Sequence, residues 1–289
     1  MDGGYPSMKQ VWITGAGGLI GSHLVRTAAA CVPHWQVQGT GRRDVDVTDA
    51  ARVQAYLDRS KPDVVIHCAA LGRPSSCDQD PALATRLNIE ATRTLCGLAH
   101  HIRLILLSSD LVFDGREGHY DESAPVSPLG VYAATKVAAE EIVLANPRHT
   151  VIRTSLNAGT SPTGDRSFTE GLRTAWQGGA TVRLFTDEFR CPIPAAVTAR
   201  AIWELAVMDR PGLYHLAGAE RLSRWQIGHL LAQRWAQLHP RLEPASRLSY
   251  AGPPRPADTS LNCAKLQSLL SFSLPRFTEW LAANPLEPL

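Results

Sequence analysis

The chain has 289 residues, of which 44% are hydrophobic and 19% are charged, and its formal net charge is +2. This length and apolar content allow one large α/β domain or two unequal ones with a packed core. The nearly balanced charge gives no electrostatic signature of nucleic-acid binding, and no run of about 18 apolar residues predicts a membrane span. Residues 1–7 lack the basic and apolar regions of a signal peptide, so we expect a flexible N-terminus and a cytoplasmic protein.

Six cysteines are scattered along the chain, without a C-x-x-C pair and without histidines at ligand spacing. This distribution is typical of reduced thiols in the core or on the surface. We therefore predict no metal site.

Short apolar runs alternate with helical stretches through the first half of the chain. Strands are predicted at 11–14, 35–40, 63–69, 103–108 and 150–154, and helices at 18–30, 49–59, 81–100 and 130–145. Alternating strands and helices predict right-handed crossovers and a parallel sheet with helices on both faces. We expect an α/β fold with a doubly wound parallel sheet, a Rossmann domain spanning 8–154.

The pattern loosens after residue 154, where Pro, Gly and Arg become frequent. Helices are predicted at 167–177, 197–208 and 223–237, and the Pro/Arg-rich segment 240–256 is predicted to be a loop. We expect a smaller C-terminal substrate-binding lobe at 155–289 that is partly interleaved with the Rossmann sheet.

A glycine-rich turn at 14–21 follows the first predicted strand and opens the first helix. Gly15 allows the turn, Gly18 lets the backbone approach a pyrophosphate, and Gly21 lets the helix close on the strand. Free N–H groups at the positive end of the helix can then bind the pyrophosphate. The G-x-x-G-x-x-G spacing differs from the commonest dinucleotide motif, so an ordinary glycine-rich turn is the alternative. The predicted cofactor contacts here are Gly15, Gly18, Leu19, Ile20 and Gly21.

The end of the second predicted strand carries Arg42 and Arg43, where many NAD sites have an acid for the ribose hydroxyls. Guanidinium groups suit a 2′-phosphate, so the sequence favours NADP(H), with NAD(H) as the alternative cofactor. A solvated basic turn would also explain the two arginines. Asp46 and Val47 are predicted to lie near the adenine, although Asp49 equally suits a helix N-terminus.

Tyr132 and Lys136 lie four residues apart on the predicted helix 130–145 and therefore share one face. A lysine ammonium beside a phenol stabilises phenolate and lowers a pKa that is otherwise about 10, so the tyrosine can exchange a proton near neutrality. A Y-x-x-x-K spacing also occurs by chance on surface helices. The glycine turn upstream favours the catalytic interpretation.

Two further strand ends complete the predicted site. Small residues at Cys68, Ala69 and Ala70 allow a flat nucleotide to pass close to the backbone. The Ser109 hydroxyl can hydrogen-bond a substrate carbonyl oxygen and so aid charge development there, although a serine in a strand-end turn is the alternative.

Together these segments resemble the extended short-chain dehydrogenase/reductase family and, within it, the dTDP-4-dehydrorhamnose reductases. The resemblance covers nearly the whole chain. It runs from the glycine turn at 14–21, includes residues 153–155, and extends to the late segment 255–261. It implies an NADPH-dependent reductase of a nucleotide-activated 4-keto-6-deoxy sugar with Ser109, Tyr132 and Lys136 as catalytic residues. It also implies that Asn88, Tyr132 and Lys136 contact the cofactor.

Five substrate-contact candidates are distributed along the chain. They are Arg73, Asp110, Ser155, Arg190 and Arg255. The three arginines are candidates for the sugar nucleotide's phosphates because a guanidinium fork matches that geometry, although each could equally be a surface residue. The expected partner is a small-molecule carbonyl substrate of the nucleotide-sugar type, with no nucleic acid and no membrane; a homodimer is one option for the assembly.

The chain departs from the reductase pattern in the predicted substrate pocket. Leu156 stands where the reductases usually have tryptophan, and Arg190 stands where they have glycine. Arg73, Pro74 and Arg190 resemble instead the regulatory β subunit of methionine adenosyltransferase, a relative that binds NADP and acts as a partner protein. A cofactor-binding regulatory subunit without turnover is therefore the alternative function.

Overall fold

The computed structural model describes residues 8–289, so the flexible segment predicted at 1–7 lies outside the described residues. The strands, in chain order, are β1 Gln10–Thr14, β2 Gln36–Thr40, β3 Val64–His67, β4 Arg103–Ser109, β5 Thr150–Thr154, β6 Asn157–Ala158, β7 Thr181–Phe185, β8 Phe189–Arg190, β9 Ile193–Pro194, β10 Gly212–Leu216, β11 Leu222–Ser223 and β12 Arg241–Ala245. The helices are α1 Leu19–Cys31, α2 Ala50–Ser60, α3 Pro74–Gln79, α4 Pro81–Ala84, α5 Ala91–Leu98, α6 Val131–Leu144, α7 Phe168–Gln177, α8 Ala195–Met208, α9 Arg224–Arg234, α10 Ala264–Gln267 and α11 Phe277–Ala283.

The central sheet has six strands in the order β2-β1-β3-β4-β5-β10, and each neighbouring pair is parallel. The predicted doubly wound parallel sheet is confirmed. Strand β10 comes from the second half of the chain, which therefore returns to the sheet after leaving it. The carboxyl ends of all these strands meet at one edge, where ligands bind in such folds.

Alternating side chains of the strands supply both layers of the core. Ile13, Ile66 and Ile105 belong to one buried cluster, which is completed by residues of α1 and α8. Trp12 and Val65 belong to the other, which is completed by α2, α5 and α6. Because successive residues of a strand point to opposite faces, near-continuous apolar runs are what a sheet covered on both sides requires.

The second half of the chain also builds a smaller layer around its own apolar cluster. Trp176, Leu184, Leu231 and Phe277 are buried together there. Strand β12 pairs in parallel with β7, so the prediction of a loop throughout 240–256 was wrong. The strand has only five residues and contains Pro244, which removes a backbone donor and is tolerated only at an edge or a bulge.

The predicted helix 81–100 is interrupted. A π-helical segment, Thr85–Glu90, separates α4 from α5, and α3 precedes them without having been predicted. Insertions of this kind have no compositional signature, and they frequently occur near functional sites. Within residues 8–289, no helix combines the length and the apolar content needed to cross a membrane.

Candidate active site

A cleft of about 1080 Å³ lies along the carboxyl edge of the sheet, between the sheet and the smaller layer. Most of the predicted site residues line it. They are Gly15, Gly18, Leu19, Ile20, Gly21, Arg42, Arg43, Asp46, Val47, Cys68, Ala69, Ala70, Arg73, Ser109, Tyr132, Lys136, Ser155, Arg190 and Arg255. The fold thus brings the predicted cofactor, catalytic and substrate residues into one continuous space.

The glycine turn is packed so closely that side chains are excluded at two positions. Gly15 has a φ of +68°, and a Cβ there would lie 2.6 Å from the Ala69 nitrogen. A Cβ on Gly21 would lie 2.4 Å from the Gly15 oxygen. Helix α1 begins at this turn with neither a side-chain cap nor an acid in its first turn, so its first N–H groups can bind an anion. These residues fit the pyrophosphate of a dinucleotide.

Two exposed arginines lie where β2 ends in the cleft. The Arg42 Nε atom is 3.3 Å from the Asp46 carboxylate, and the Arg42 side chain is 77% exposed. The Asp44 carboxylate is turned back onto the amide of Gly41, with 2.8 Å between the Gly41 nitrogen and Oδ2. Both guanidinium groups remain accessible at this end of the cleft, as a 2′-phosphate would require.

The Asp46 carboxylate accepts hydrogen bonds from the Thr48 hydroxyl at 2.7 Å and the Thr48 amide at 3.0 Å. These two bonds hold the pKa of Asp46 below its usual range. Asp49 caps α2 by accepting from the Arg52 amide at 3.1 Å, so the helix-terminus interpretation of Asp49 is confirmed.

Tyr132 and Lys136 share one face of α6, but their pKa values differ from the sequence expectation. Burial raises the pKa of Tyr132 to about 12, against the opposing effect of a hydrogen bond with Ser109. Burial lowers the pKa of Lys136 to about 8, against the charge of Glu140. The Lys136 ammonium donates to the backbone carbonyl of Leu107. Burial therefore dominates the pKa of Tyr132, which is protonated at neutral pH, and the lowering of the phenol pKa by Lys136 stays a prediction.

Arg190 is not free for a ligand. Its Nε donates to Asp110 Oδ2 at 2.6 Å and its Nη2 to Oδ1 at 2.5 Å, which makes a two-point ion pair. Both side chains are buried, at 8% and 0% exposure. Burial disfavours the guanidinium charge, but the carboxylates of Asp110 and Glu188 outweigh it and raise the Arg190 pKa.

The other two arginines predicted to bind phosphate are also paired. Arg255 donates to the buried carboxylate of Glu188 at 2.5 and 3.0 Å. Arg73 is exposed and lies 3.3 Å from the Asp165 carboxylate. The sequence could not reveal these pairings because each joins residues that are far apart along the chain.

Two predicted contact residues lie outside the cleft lining. Asn88, placed on the π-helical segment, accepts from the Leu71 amide at 2.7 Å and donates to the Thr135 hydroxyl at 2.9 Å. It holds the backbone of Leu71, next to Ala70, in place, and its predicted contact with the cofactor stays a prediction. Asp110 is wholly buried, and its carboxylate also accepts a hydrogen bond from the Ser155 hydroxyl at 2.6 Å.

Arg224 lines the cleft at the first residue of α9 and was not predicted as a site residue. The one available signal was its place directly after the capping serine, Ser223, where an acid is favoured over a cation. Glu188, whose burial depends on the packing of β8, was not predicted either.

A family model described as the RmlD substrate binding domain matches residues 8–284. The chain belongs to this family. The resemblance to dTDP-4-dehydrorhamnose reductases and to the methionine adenosyltransferase β subunit is confirmed by the relatives found within it.

Two curated relatives of this RmlD-family chain have different roles. The methionine adenosyltransferase 2 subunit beta of Xenopus laevis is 29% identical over 277 residues, which are 90% of this chain and 82% of that protein. A probable low-salt glycan biosynthesis reductase of Haloferax volcanii is 29% identical over 289 residues, which are 94% of this chain and 96% of that protein.

Among solved structures, dTDP-4-dehydrorhamnose reductase from Bacillus anthracis in complex with NADP superposes on this chain with a TM-score of 0.87. The match covers 96% of this chain and 98% of that one at 22% sequence identity. Its likeness establishes the shared fold.

Proposed function

We propose that this RmlD-family protein is an NADPH-dependent reductase of a nucleotide-activated 4-keto-6-deoxy sugar. The observation that carries the proposal is the continuity of the cleft. The dinucleotide cradle at Gly15 and Gly21 opens directly onto Ser109, Tyr132 and Lys136. Exposed Arg42 and Arg43 support NADPH over NADH.

NADPH, when bound, supplies the hydride for the carbonyl carbon. Tyr132 then donates the phenolic proton to the carbonyl oxygen, and its pKa of about 12 keeps it protonated until that step. The Ser109 hydroxyl holds the same oxygen, and the buried Lys136 ammonium supplies the nearby positive charge that favours the resulting phenolate. An alcohol and NADP⁺ are the products.

A cofactor-binding regulatory subunit is the second candidate function. It is favoured by the Arg190–Asp110 pair, because a charged side chain occupies the part of the pocket where the reductases have glycine. The likeness to the methionine adenosyltransferase 2 subunit beta supports the same alternative. Cofactor binding alone cannot distinguish the two candidates, since both require it.

The test is NADPH oxidation measured with a panel of dTDP- and GDP-linked 4-keto sugars, including dTDP-4-dehydrorhamnose. The proposal expects turnover of at least one member that is lost on removing either NADPH or the sugar. Tight NADPH binding without turnover of any member, together with co-purification of a synthetase, would replace the reductase with the regulatory subunit.

A further inference from the structure

Seven arginines line the cleft, and five of them are paired with carboxylates. Within residues 8–289, the side chains of the remaining two, Arg43 and Arg224, form no hydrogen bond or ion pair. Arg43 lies at the cofactor end, beside the end of β2. Arg224 lies at the start of α9, in the smaller layer.

Arg224 occupies a position that is unfavourable for a cation. It is the first residue of α9, close to the positive end of the helix dipole. It is half-buried, its guanidinium lies 5.1 Å from the ring centroid of Phe168, and burial lowers its pKa to about 10. The fold does not need arginine there, since Ser223 and Gln226 already form a capping box that holds the helix start.

The surrounding charges leave this part of the cleft short of negative charge. Three guanidinium groups, those of Arg190, Arg224 and Arg255, lie around two buried carboxylates, those of Asp110 and Glu188. Asp110 already pairs with Arg190, and Glu188 already pairs with Arg255. An anion beside Arg224 would supply the missing negative charge in a half-buried site, where charge-assisted hydrogen bonds are strong.

A short series of contacts relates Arg224 to the predicted reaction centre. The Ser109 hydroxyl lies 3.2 Å from Asp110, Asp110 pairs with Arg190, and the Arg190 guanidinium lies 4.0 Å from the Glu188 carboxylate. The Glu188 carbonyl accepts from the Arg224 amide at 2.9 Å. Arg224 and Ser109 therefore line the same cleft and are linked through the Arg190–Asp110 pair and Glu188.

We propose that Arg224 binds a phosphate group of the nucleotide-activated substrate. The inference deepens the proposed function and rests on it for the class of substrate. It also reassigns the phosphate contact from Arg73, Arg190 and Arg255 to Arg224, whose guanidinium has no hydrogen-bond or ion-pair partner among residues 8–289.

The test is calorimetric titration of UDP, dTDP and uridine into the NADP⁺-saturated protein. Arg224→Gln should weaken UDP or dTDP by about 10- to 100-fold, the loss expected for a charge-assisted contact, and leave uridine unchanged. Arg224→Lys should lie between, because it keeps the charge and loses the fork. Arg166→Gln is the matched control: Arg166 lines the same cleft but lies 3.1 Å from the Asp165 carboxylate, so its loss should matter less than about threefold.

Unchanged NADP⁺ affinity in each variant verifies that the cleft is intact. Equal diphosphate affinity in wild type and Arg224→Gln, an equal loss in Arg166→Gln, or no diphosphate binding by wild type would each overturn the inference. The proposed function is judged separately by turnover. If Arg224→Gln reduces the ketone with an unchanged KM, the proposed reductase function stands and the phosphate contact is rejected. If diphosphate binding depends on Arg224 but no ketone is reduced, the phosphate contact stands and the reductase function is rejected.

Discussion

The Arg190 guanidinium and the Asp110 carboxylate form a buried two-point ion pair next to Ser109. Asp110 follows Ser109 in the chain, and Arg190 comes from β8 of the smaller layer, so the pair joins the two halves of the cleft. Because both groups are out of water, removal of either would leave the charge of the other buried without this partner. Breaking the pair should therefore destabilise the fold.

Asp110→Asn removes the negative charge while keeping the side-chain shape, and it leaves Arg190 buried without its partner. The free energy of unfolding should fall by about 3–5 kcal/mol in urea denaturation. Asp165→Asn is the control, since it removes an exposed carboxylate that pairs with Arg73 and Arg166 and should change the unfolding free energy little. Similar small losses for both variants would show that the buried pair does not stabilise the fold.

Gly21→Ala should disrupt the cradle, because its Cβ would lie 2.4 Å from the Gly15 oxygen. Overpacking of this kind typically costs about 1–3 kcal/mol, and the displaced turn should also weaken NADP⁺ binding. Gly17→Ala is the control, since a Cβ there has no protein atom within 4 Å. Unfolding curves of the two variants measure the difference. A Gly21→Ala protein as stable as Gly17→Ala would mean that the turn is not packed as described.

Replacing Arg42 and Arg43 together by alanine should weaken NADPH far more than NADH. Each charge-assisted hydrogen bond to the 2′-phosphate contributes roughly 1.5–3 kcal/mol, and NADH has no such group. Fluorescence titration of both cofactors into wild type and the double variant measures the change. Equal losses for the two cofactors, or a wild type that prefers NADH, would contradict the assignment.

The pKa of about 8 for Lys136 predicts an alkaline fall in activity. Below that pH the side chain is the ammonium that favours proton donation by Tyr132, and above it the charge is lost. Since Tyr132 itself titrates only near 12, kcat/KM should decline above about pH 8, by up to about tenfold per pH unit. A profile that stays flat to about pH 10 would show that Lys136 keeps its proton or has no role in the reaction.

The Rossmann half of the fold could be predicted because its signals are local. Apolar runs such as residues 103–108 match β4, and the tight turn at Gly15 requires the residue type found there. Strand β12 was not predicted because it forms by pairing with β7, which is distant along the chain. The π-helical segment around Asn88 was not predicted because its composition gives no signal. Element boundaries near Asp49 differed by one residue.

The sequence predicted which residues line the cleft better than it predicted their pKa values and ion pairs. The sequence located Tyr132 and Lys136 on one helix face, yet the depth of burial, which decides their pKa values, is a property of the whole packed structure. The same holds for Arg190: its residue type suggested phosphate binding, whereas its partner Asp110 lies 80 positions away in the chain. Ion pairs between residues so far apart in the chain cannot be predicted from the sequence before the fold is known.

The most direct test of the central claim is turnover and NADPH affinity measured on one preparation of Tyr132→Phe beside wild type. The substitution keeps the ring and removes the acid. Turnover should therefore fall by about 10²–10⁴-fold while NADPH affinity changes little. If wild type binds NADPH but reduces no carbonyl compound, and Tyr132→Phe cannot be distinguished from it, the protein is not the proposed reductase.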